Sequence, residues 1–332
     1  MKTTTFATMS RSCATRVLVD KENDAMDIYE VDRETFAELF PATHIYNSVA
    51  FAELNSGKVE RVRYLTFSDT KQRFGVILGE RDRVLRSPFS APFGGFIQKG
   101  VQNLANMEHA ASLLTAYATE HSLGISVTLP PLVYDASQLS KWAKVLMSTM
   151  TVRCVDLNYH MDLSRFPDYR QIIDRSARNK LNHALRQGFR LVRLDGCCHA
   201  DVARAYEVIR RNRAERGYPL RMTLEQVWKT VSGVVKADFF VLEHEGRDVA
   251  AAQVFHVAEG IVQVIYWGDI REYSELRPMN YLAYSVAKHY YEAGMRILDI
   301  GPSTENGVPN HGLCEFKEDT GCSVSLKYSF VI

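Results

Sequence analysis

The stretch Tyr291–Pro302, YEAGMRILDIGP, decides the fold, because a like pattern stands at 121–131 as HSLGISVTLPP. In both, a helical run stops at a glycine (Gly294, Gly124), and a short apolar run then ends at proline. A glycine supplies the left-handed conformation that ends a helix, and proline cannot continue a strand ladder. Each passage therefore reads as helix, cap and buried strand. A recurring unit is the sequence signature of duplication; the alternative is chance likeness between two α/β halves.

Working outward, the surroundings of the two passages also correspond. Upstream of the first lie a short helix at 32–39 with Asp32 or Thr35 as cap, and strands at 51–54, 59–67, 74–78 and 84–85. A helix at 103–121 follows, then strand 125–129, helix 137–149 and strand 151–157. Upstream of the second lie strand 189–194, helices 200–217 and 223–235, and a meander at 239–243, 248–257 and 261–269. Helix 278–293 and strand 296–300 come next, and a short helix at 313–319 and a strand at 323–331 finish the chain. The order predicts two copies of one α/β (α+β) unit, at 26–160 and 161–332, each a mixed, largely antiparallel sheet flanked by helices. Residues 1–25, rich in Thr, Ser and charge, read as a loose leader.

The joint between the copies is Phe166–Leu194, FPDYRQIIDRSARNKLNHALRQGFRLVRL. Tyr169, Ile172, Ile173, Ala177, Leu181, Ala184 and Leu185 recur at helical spacing, which predicts one connecting helix over 166–188 capped at Gly188. Arg175, Arg178 and Arg186 share the opposite face. Such a face is either simply solvated or a seat for phosphate, whose geometry a guanidinium matches with two bonds.

The chain has 332 residues and a net charge of +1, which excludes a general polyanion coat. Yet residues 165–221 hold fourteen Lys and Arg against six Asp and Glu. A basic band on a neutral protein suggests one specific anionic ligand, such as a nucleotide-sugar, a lipid head group or a tRNA backbone. Cys13, Cys154, Cys197, Cys198, Cys314 and Cys322 include no CxxC pair, so free thiols in a reducing cytoplasm are the expectation, with no metal. No apolar run approaches the roughly 20 residues of a membrane span. GxGxxG, GxxxxGK[ST], HExxH and GxSxG are all absent, which leaves metal-dependent or nucleophilic hydrolysis without support.

The second copy carries a connected pattern: VQVIYWGD (262–269), RPMNYLAYSVAKHYYEAGMRILDIGPS (277–303) and NHGLCEFKEDTG (310–321). Here the chain resembles the Fem-type peptidyltransferases and related double-GNAT acyltransferases. The matching residues are Gly294, Asp299 and Gly301, then Gly312, Leu313, Phe316, Lys317 and Gly321, together with the basic helix ending in Ala184–Gly188. In the first copy, SPFSAPFGGF (87–96) stands where the family has an aromatic, Pro- and Gly-containing turn. The resemblance covers about residues 40–332. It implies two tandem GNAT-like folds around a cleft, and transfer of an acyl or aminoacyl group to an amine, on a cell-envelope or polysaccharide precursor. In such folds the sheet splays between two parallel strands, and backbone N–H groups there stabilise the developing charge. The donor is acyl-CoA or aminoacyl-tRNA, with no tightly bound cofactor. The region matching the coenzyme A pyrophosphate loop, YSELRPMN (273–280), has no glycine. Fem-type members lack that loop too and draw on charged tRNA. An acetyl-CoA-dependent amino-sugar acetyltransferase and a catalytically inactive pair of GNAT folds acting as a binding module are the alternatives. The partners expected are an anionic small molecule and, for the aminoacyl reading, charged tRNA.

The family pattern puts Lys317 against the acceptor or the developing charge; read alone it is a surface lysine. Asp299 ends a buried strand, where a carboxylate needs a partner or a task, so it either orients the amine or caps the next turn. Tyr266 and Trp267 line the cleft or belong to the core, and Ser303, Asn310 and Glu315 are polar loop groups beside them. Ser87, Phe89, Ser90 and Phe93 form a rigid turn that plugs or walls a pocket.

Overall fold

A computed structural model describes residues 25–332, so Cys13 and all but the last residue of the expected leader lie outside the described residues. The first half runs β1 (Asp27–Val31), α1 (Arg33–Leu39), α2 (Val49–Leu54), β2 (Arg61–Ser68), β3 (Gln72–Arg81), β4 (Val84–Ser87) and β5 (Phe96–Gln98). It continues with α3 (Leu104–Glu120), β6 (Gly124–Thr128), α4 (Ala136–Thr149) and β7 (Thr151–Asp162). The second half begins with α5 (Tyr169–Ile172), α6 (Arg175–Leu185), β8 (Arg190–Leu194), α7 (His199–Arg216) and α8 (Leu224–Gly233). Then come β9 (Ala237–His244), β10 (Arg247–Ala258), β11 (Ile261–Asp269), α9 (Pro278–Glu292) and β12 (Ile297–Pro302). The hairpin β13 (Thr304–Glu305) and β14 (Val308–Pro309), α10 (His311–Asp319) and β15 (Ser323–Val331) complete it.

The two halves share one sheet, in the order β1-β2-β3-β4-β6-β15-β7-β12-β11-β10-β9-β8, with β5 on β3. A four-stranded antiparallel meander lies at each end. Each meander meets its next strand in parallel, β4 with β6 and β11 with β12. The centre is an exchange: β15 of the second half lies beside β6, and β7 of the first half lies beside β12. Residue 160, the expected division, lies inside β7, and the sheet passes between the halves three times, at β6–β15, β15–β7 and β7–β12.

Both faces are covered, as the apolar content of the strands demands. Met107, Leu114, Trp142 and Leu146 of α3 and α4 pack on Leu65, Phe67, Phe74 and Val76. Phe36, Phe40 and Ala52 cover Tyr64 and Ile77 on the reverse face. In the second half Leu181, Ala184, Leu282 and Val286 of α6 and α9 cover Ala252, Val254 and Leu298. Val202, Ile209 and Val227 of α7 and α8 cover Phe239, Val241 and Ala251 opposite.

Gly124, expected to end a helix in the left-handed conformation, is instead the first residue of β6, and Ser122 with φ +55° takes that conformation after α3. Two expected elements also differ. Residues 51–54, expected as a strand, are helical in α2, because Ser48 Oγ accepts from Phe51 N at 3.1 Å and caps a turn there. A short apolar run does not separate helix from strand by periodicity. The connecting helix expected over 166–188 is broken. Ile173 is extended, and Asp174 Oδ1 accepts from Ala177 N at 2.6 Å to start α6 afresh. An aspartate that bonds the backbone ahead of it favours a cap over helix continuation. Gly188 has φ +73°, the left-handed value expected of it.

Gly268 of β11 is a close-approach glycine. A Cβ there would lie 2.3 Å from the Asn212 side chain, which reaches over from α7 to donate to Asp269 O at 2.7 Å. Gly268→Ala should therefore cost about 1–3 kcal/mol by overpacking, read as a lower urea midpoint; an unchanged midpoint contradicts this docking of α7.

Candidate active site

β11 and β12 stay in register for three pairs only, Ile261–Ile297, Val262–Leu298 and Gln263–Asp299. β11 then continues to Asp269 on β10 alone, across a bulge at Gln253/Val254, while β12 follows β7. The strands part, and the β12-facing amides of β11 beyond Gln263 have no strand partner. This wedge-shaped slot is the feature around which the site is built. Bulges re-aim side chains in this way.

The vertex of the slot is clamped by side chains. Gln263 Nε2 donates to Asp299 Oδ2 at 2.7 Å, joining the last paired residues. Asp299 is 0% exposed and also accepts from Tyr134 Oη at 2.8 Å, Asn158 Nδ2 at 2.7 Å and Gly301 N at 2.8 Å. Gln263 Oε1 in turn accepts from Tyr46 Oη at 2.6 Å. Four neutral donors thus hold one buried carboxylate, with no cation in ion-pair contact among the described residues. Burial first, and the Asp299 charge second, push the Tyr46 and Tyr134 hydroxyls well above the ordinary range, so both remain donors.

The far side of the slot is closed by α10. Phe316 packs edge-to-face on Trp267 of β11, ring centroids 6.1 Å apart at 77°. Its neighbour Lys317 is 2% exposed, which excludes the surface alternative. Lys317 Nζ donates to the carbonyls of Ile300, Gly301 and Pro302 at 3.1, 2.8 and 3.1 Å and lies 5.3 Å from the Tyr159 ring. Its three protons pin the turn that follows Asp299. Burial draws the ammonium from 10.5 to about 8.

The other face of β11 is polar and open in its bonding. Tyr266 carries the Arg213 guanidinium at 5.4 Å from its ring, and Tyr218 carries it at 5.9 Å. Arg213 has no carboxylate partner among the described residues, and its buried Nε has no acceptor. Burial lowers its pKa, an effect that Tyr266 and Tyr218 oppose. On α7 the neighbouring Arg204, Arg210, Arg211 and Arg216 are all paired with Asp or Glu. Gln253 stands directly across from Tyr266, is 0% exposed, and has neither amide atom bonded. His160 Nδ1 beside Asp299, Ser325 Oγ beside Asn158, and Ser303 Oγ are likewise buried without partners. Buried polar groups are nearly always satisfied, so this concentration marks a place prepared for polar ligand atoms or ordered water.

Residues 174–318 match the acetyltransferase (GNAT) domain family. No curated protein matches the sequence. The crystal structure of FemX is similar, with a TM-score of 0.64 at 12% identity over 92% of this chain and 97% of that one. L-PGS from Bacillus licheniformis aligns with a TM-score of 0.56 at 14% identity, over 93% of each chain. A tandem GNAT protein from the clavulanic acid biosynthesis pathway gives 0.52 at 12%, covering 92% of this chain and 98% of that one. The fold is the Fem-like, double-GNAT one.

Within that GNAT architecture the expected residues fall into groups. Asp299, Tyr266, Trp267 and Lys317 gather at the β11/β12 slot. Ser303 is buried just beyond it, and Asn310 caps α10 by accepting from Leu313 N at 3.1 Å. Glu315 is exposed on α10. In the first half Phe93 is 0% exposed and stacks edge-on against Tyr46 and Tyr134, at 5.0 and 4.9 Å. Ser87 Oγ accepts from Gly95 N at 3.0 Å, Phe89 fills the space over Gly79, and Ser90 Oγ donates to Asn55 Oδ1 at 2.9 Å. Arg178 turns back to the carbonyls of Arg170 and Ile173 at 3.0 and 3.1 Å, while Arg175 and Arg186 are exposed. The three arginines therefore do not converge. Arg213, Gln253, Gln263, Asn158, Tyr46 and Tyr134 were missed. Gln253 and Gln263 had a local signal, each a lone amide inside the apolar run of its strand.

Among the described residues, no helix is long and apolar enough to cross a membrane, and no group of three His, Cys, Asp or Glu could hold a metal.

Lys317 yields a pH prediction. Its folded value, about 8, lies below the 10.5 of an ordinary lysine, so on acidification the unfolded chain takes up the proton first. Its contribution to stability is present above the unfolded value and declines as pH falls toward 8. The melting temperature of Lys317→Met should be lower than that of wild type, since three carbonyls lose their donor. The gap should widen from pH 8 to pH 10; a gap constant across that range refutes the assignment.

Proposed function

We propose that the protein is an N-acyltransferase, moving an acyl or aminoacyl group to an amine on an anionic cell-envelope or polysaccharide precursor such as a nucleotide-sugar. The observation that carries this is Arg213: a partly buried guanidinium without a carboxylate, walled by Tyr218 and Tyr266, beside a strand slot. An uncompensated charge at such a place is destabilising until a ligand anion meets it. A phosphate or carboxylate of the acceptor supplies that anion, and the unbonded amide of Gln253 lies beside the same ring. The slot then receives the donor. The donor carbonyl takes hydrogen bonds from the unpartnered β11 amides, the amine nitrogen forms the new C–N bond, and the C–S or C–O bond to the leaving group breaks. The proton released by the amine passes to water or to the leaving group. The basic band at 165–221 suits an RNA backbone as well as a diphosphate.

The start of α9 favours a donor other than coenzyme A. Pro278 has no N–H, and the amide of Asn280 already donates to Arg277 O. A helix N-terminus that binds pyrophosphate needs those donors unengaged. The amino-sugar acetyltransferase remains the second reading, and tight acetyl-CoA binding favours it. Binding of a nucleotide-sugar with no turnover from any donor favours the binding-module reading.

The test is titration calorimetry with UDP-N-acetylglucosamine and with acetyl-CoA. UDP-N-acetylglucosamine should bind saturably, and Arg213→Ala should weaken it about ten- to a hundredfold, the worth of a charge-assisted hydrogen bond. Equal affinity in Arg213→Ala overturns Arg213 as the anion subsite.

A further inference from the structure

The fold is duplicated, but the slot is not. In the first half β4 and β6 form the corresponding parallel pair, Val84–Gly124 to Ser87–Val127. Beyond Ser87 the chain walls a small cavity lined by Tyr46, Phe51, Ile77, Pro88, Phe89 and Gly95. It folds back through 88–95, and Gly94 N donates to Thr128 O at 2.8 Å, occupying the carbonyl at the end of β6. Ser87 Oγ takes Gly95 N, and a Cβ at Gly94 would lie 2.7 Å from that same Oγ, so the loop is seated closely against the strand end. Phe93 at its centre is wholly buried.

Phe93 leads directly to the other half. Its ring packs on Tyr46 and Tyr134. Those two hydroxyls reach Gln263 and Asp299, the last paired residues before β11 and β12 part. A continuous line therefore runs from the 88–95 loop of the first half to the vertex of the slot in the second: Phe93, Tyr46 and Tyr134, then Gln263 and Asp299. From the outer side Lys317 grips the three carbonyls that follow Asp299.

We infer that the first half has no acyl slot of its own and instead sets the opening of the single slot in the second half, with Tyr46 and Tyr134 as positioning residues. This rests on the reading of the β11/β12 gap as the donor slot, but the device itself is mechanical and is measurable without any donor. With the hydroxyls removed, Asp299 keeps Gln263, Gly301 and, from the exchanged strand β7, Asn158, but the vertex loses its ties to Tyr46 ahead of α2 and Tyr134 after β6. The vertex is then free to open along β11 or to close.

Hydrogen–deuterium exchange on the full chain tests this with Tyr134→Phe and with Tyr46→Phe/Tyr134→Phe. Both keep the ring packing on Phe93. In the double variant, amides of 261–269 and 297–303 should exchange about tenfold faster or more, although both substitutions lie in the first half. Segments 61–81 and 104–120 should keep wild-type rates, and the single variant should fall between. Unchanged exchange at 261–269 overturns the proposal. So does a uniform acceleration across both halves, which shows only that two buried hydroxyls stabilise the fold. Inactivity of the wild-type protein with every donor refutes the acyl-transfer reading and leaves this result standing.

Discussion

A single buried carboxylate, Asp299, sets the terms for the centre of this molecule. It is wholly removed from water, and its charge is met by hydrogen bonds rather than by a cation. A carboxylate in that position is tolerable only while all of its donors stay in place, because each lost bond exposes the full desolvation cost of the charge. Its donors come from the first half, from the exchanged strand β7, from β11 and from the turn beyond β12. The carboxylate therefore ties together the four pieces of chain that must meet for a slot to exist.

The exchange of β7 and β15 gives that constraint its setting. Two meanders joined only by a linker would rock against each other, as domains with small interfaces do. Here each half is completed by a strand of the other, and relative motion would break ladder hydrogen bonds. The remaining freedom lies where β11 has left β12. Trp267 and Phe316 bound that gap on one face, and Tyr266 with Arg213 on the other. Preorganised backbone donors in such a gap act without reorganising during reaction. A site of this kind can be built with few conventional catalytic side chains.

The electrostatics of the two faces differ in kind. On α7 the arginines are matched with carboxylates and serve the packing of the helix, with Arg213 the exception. Exposed arginines such as Arg175 and Arg186 are screened by solvent and cost the protein little whether or not they bind anything. A half-buried guanidinium between two tyrosines is different, because its desolvation is already in place before a ligand arrives. For this reason the geometry ranks Arg213 above the arginine face that the charge pattern brings forward.

The sequence by itself determined what depends on neighbours along the chain. The duplication, the glycine stops at Gly188 and Gly294, the capped helices and most of the strand–helix order were legible, since periodicity and capping are local physics; β1, α2 and β5 were not. The break at Asp174 was also written locally, although the apolar stripe running through it masked the signal. Asp299 and Lys317 stood out as chemistry, but not what they touch. Only the tertiary structure decided that Gln263, Asn158 and Tyr134, at 36, 141 and 165 residues from Asp299, are its partners. It also decided that Phe93 is buried against Tyr46 and Tyr134, and that Arg213 alone on its helix lacks a carboxylate among the described residues. The physical reason is common to all three: a buried group's partners follow from which distant segments the fold brings together, and that leaves no periodic trace in the chain.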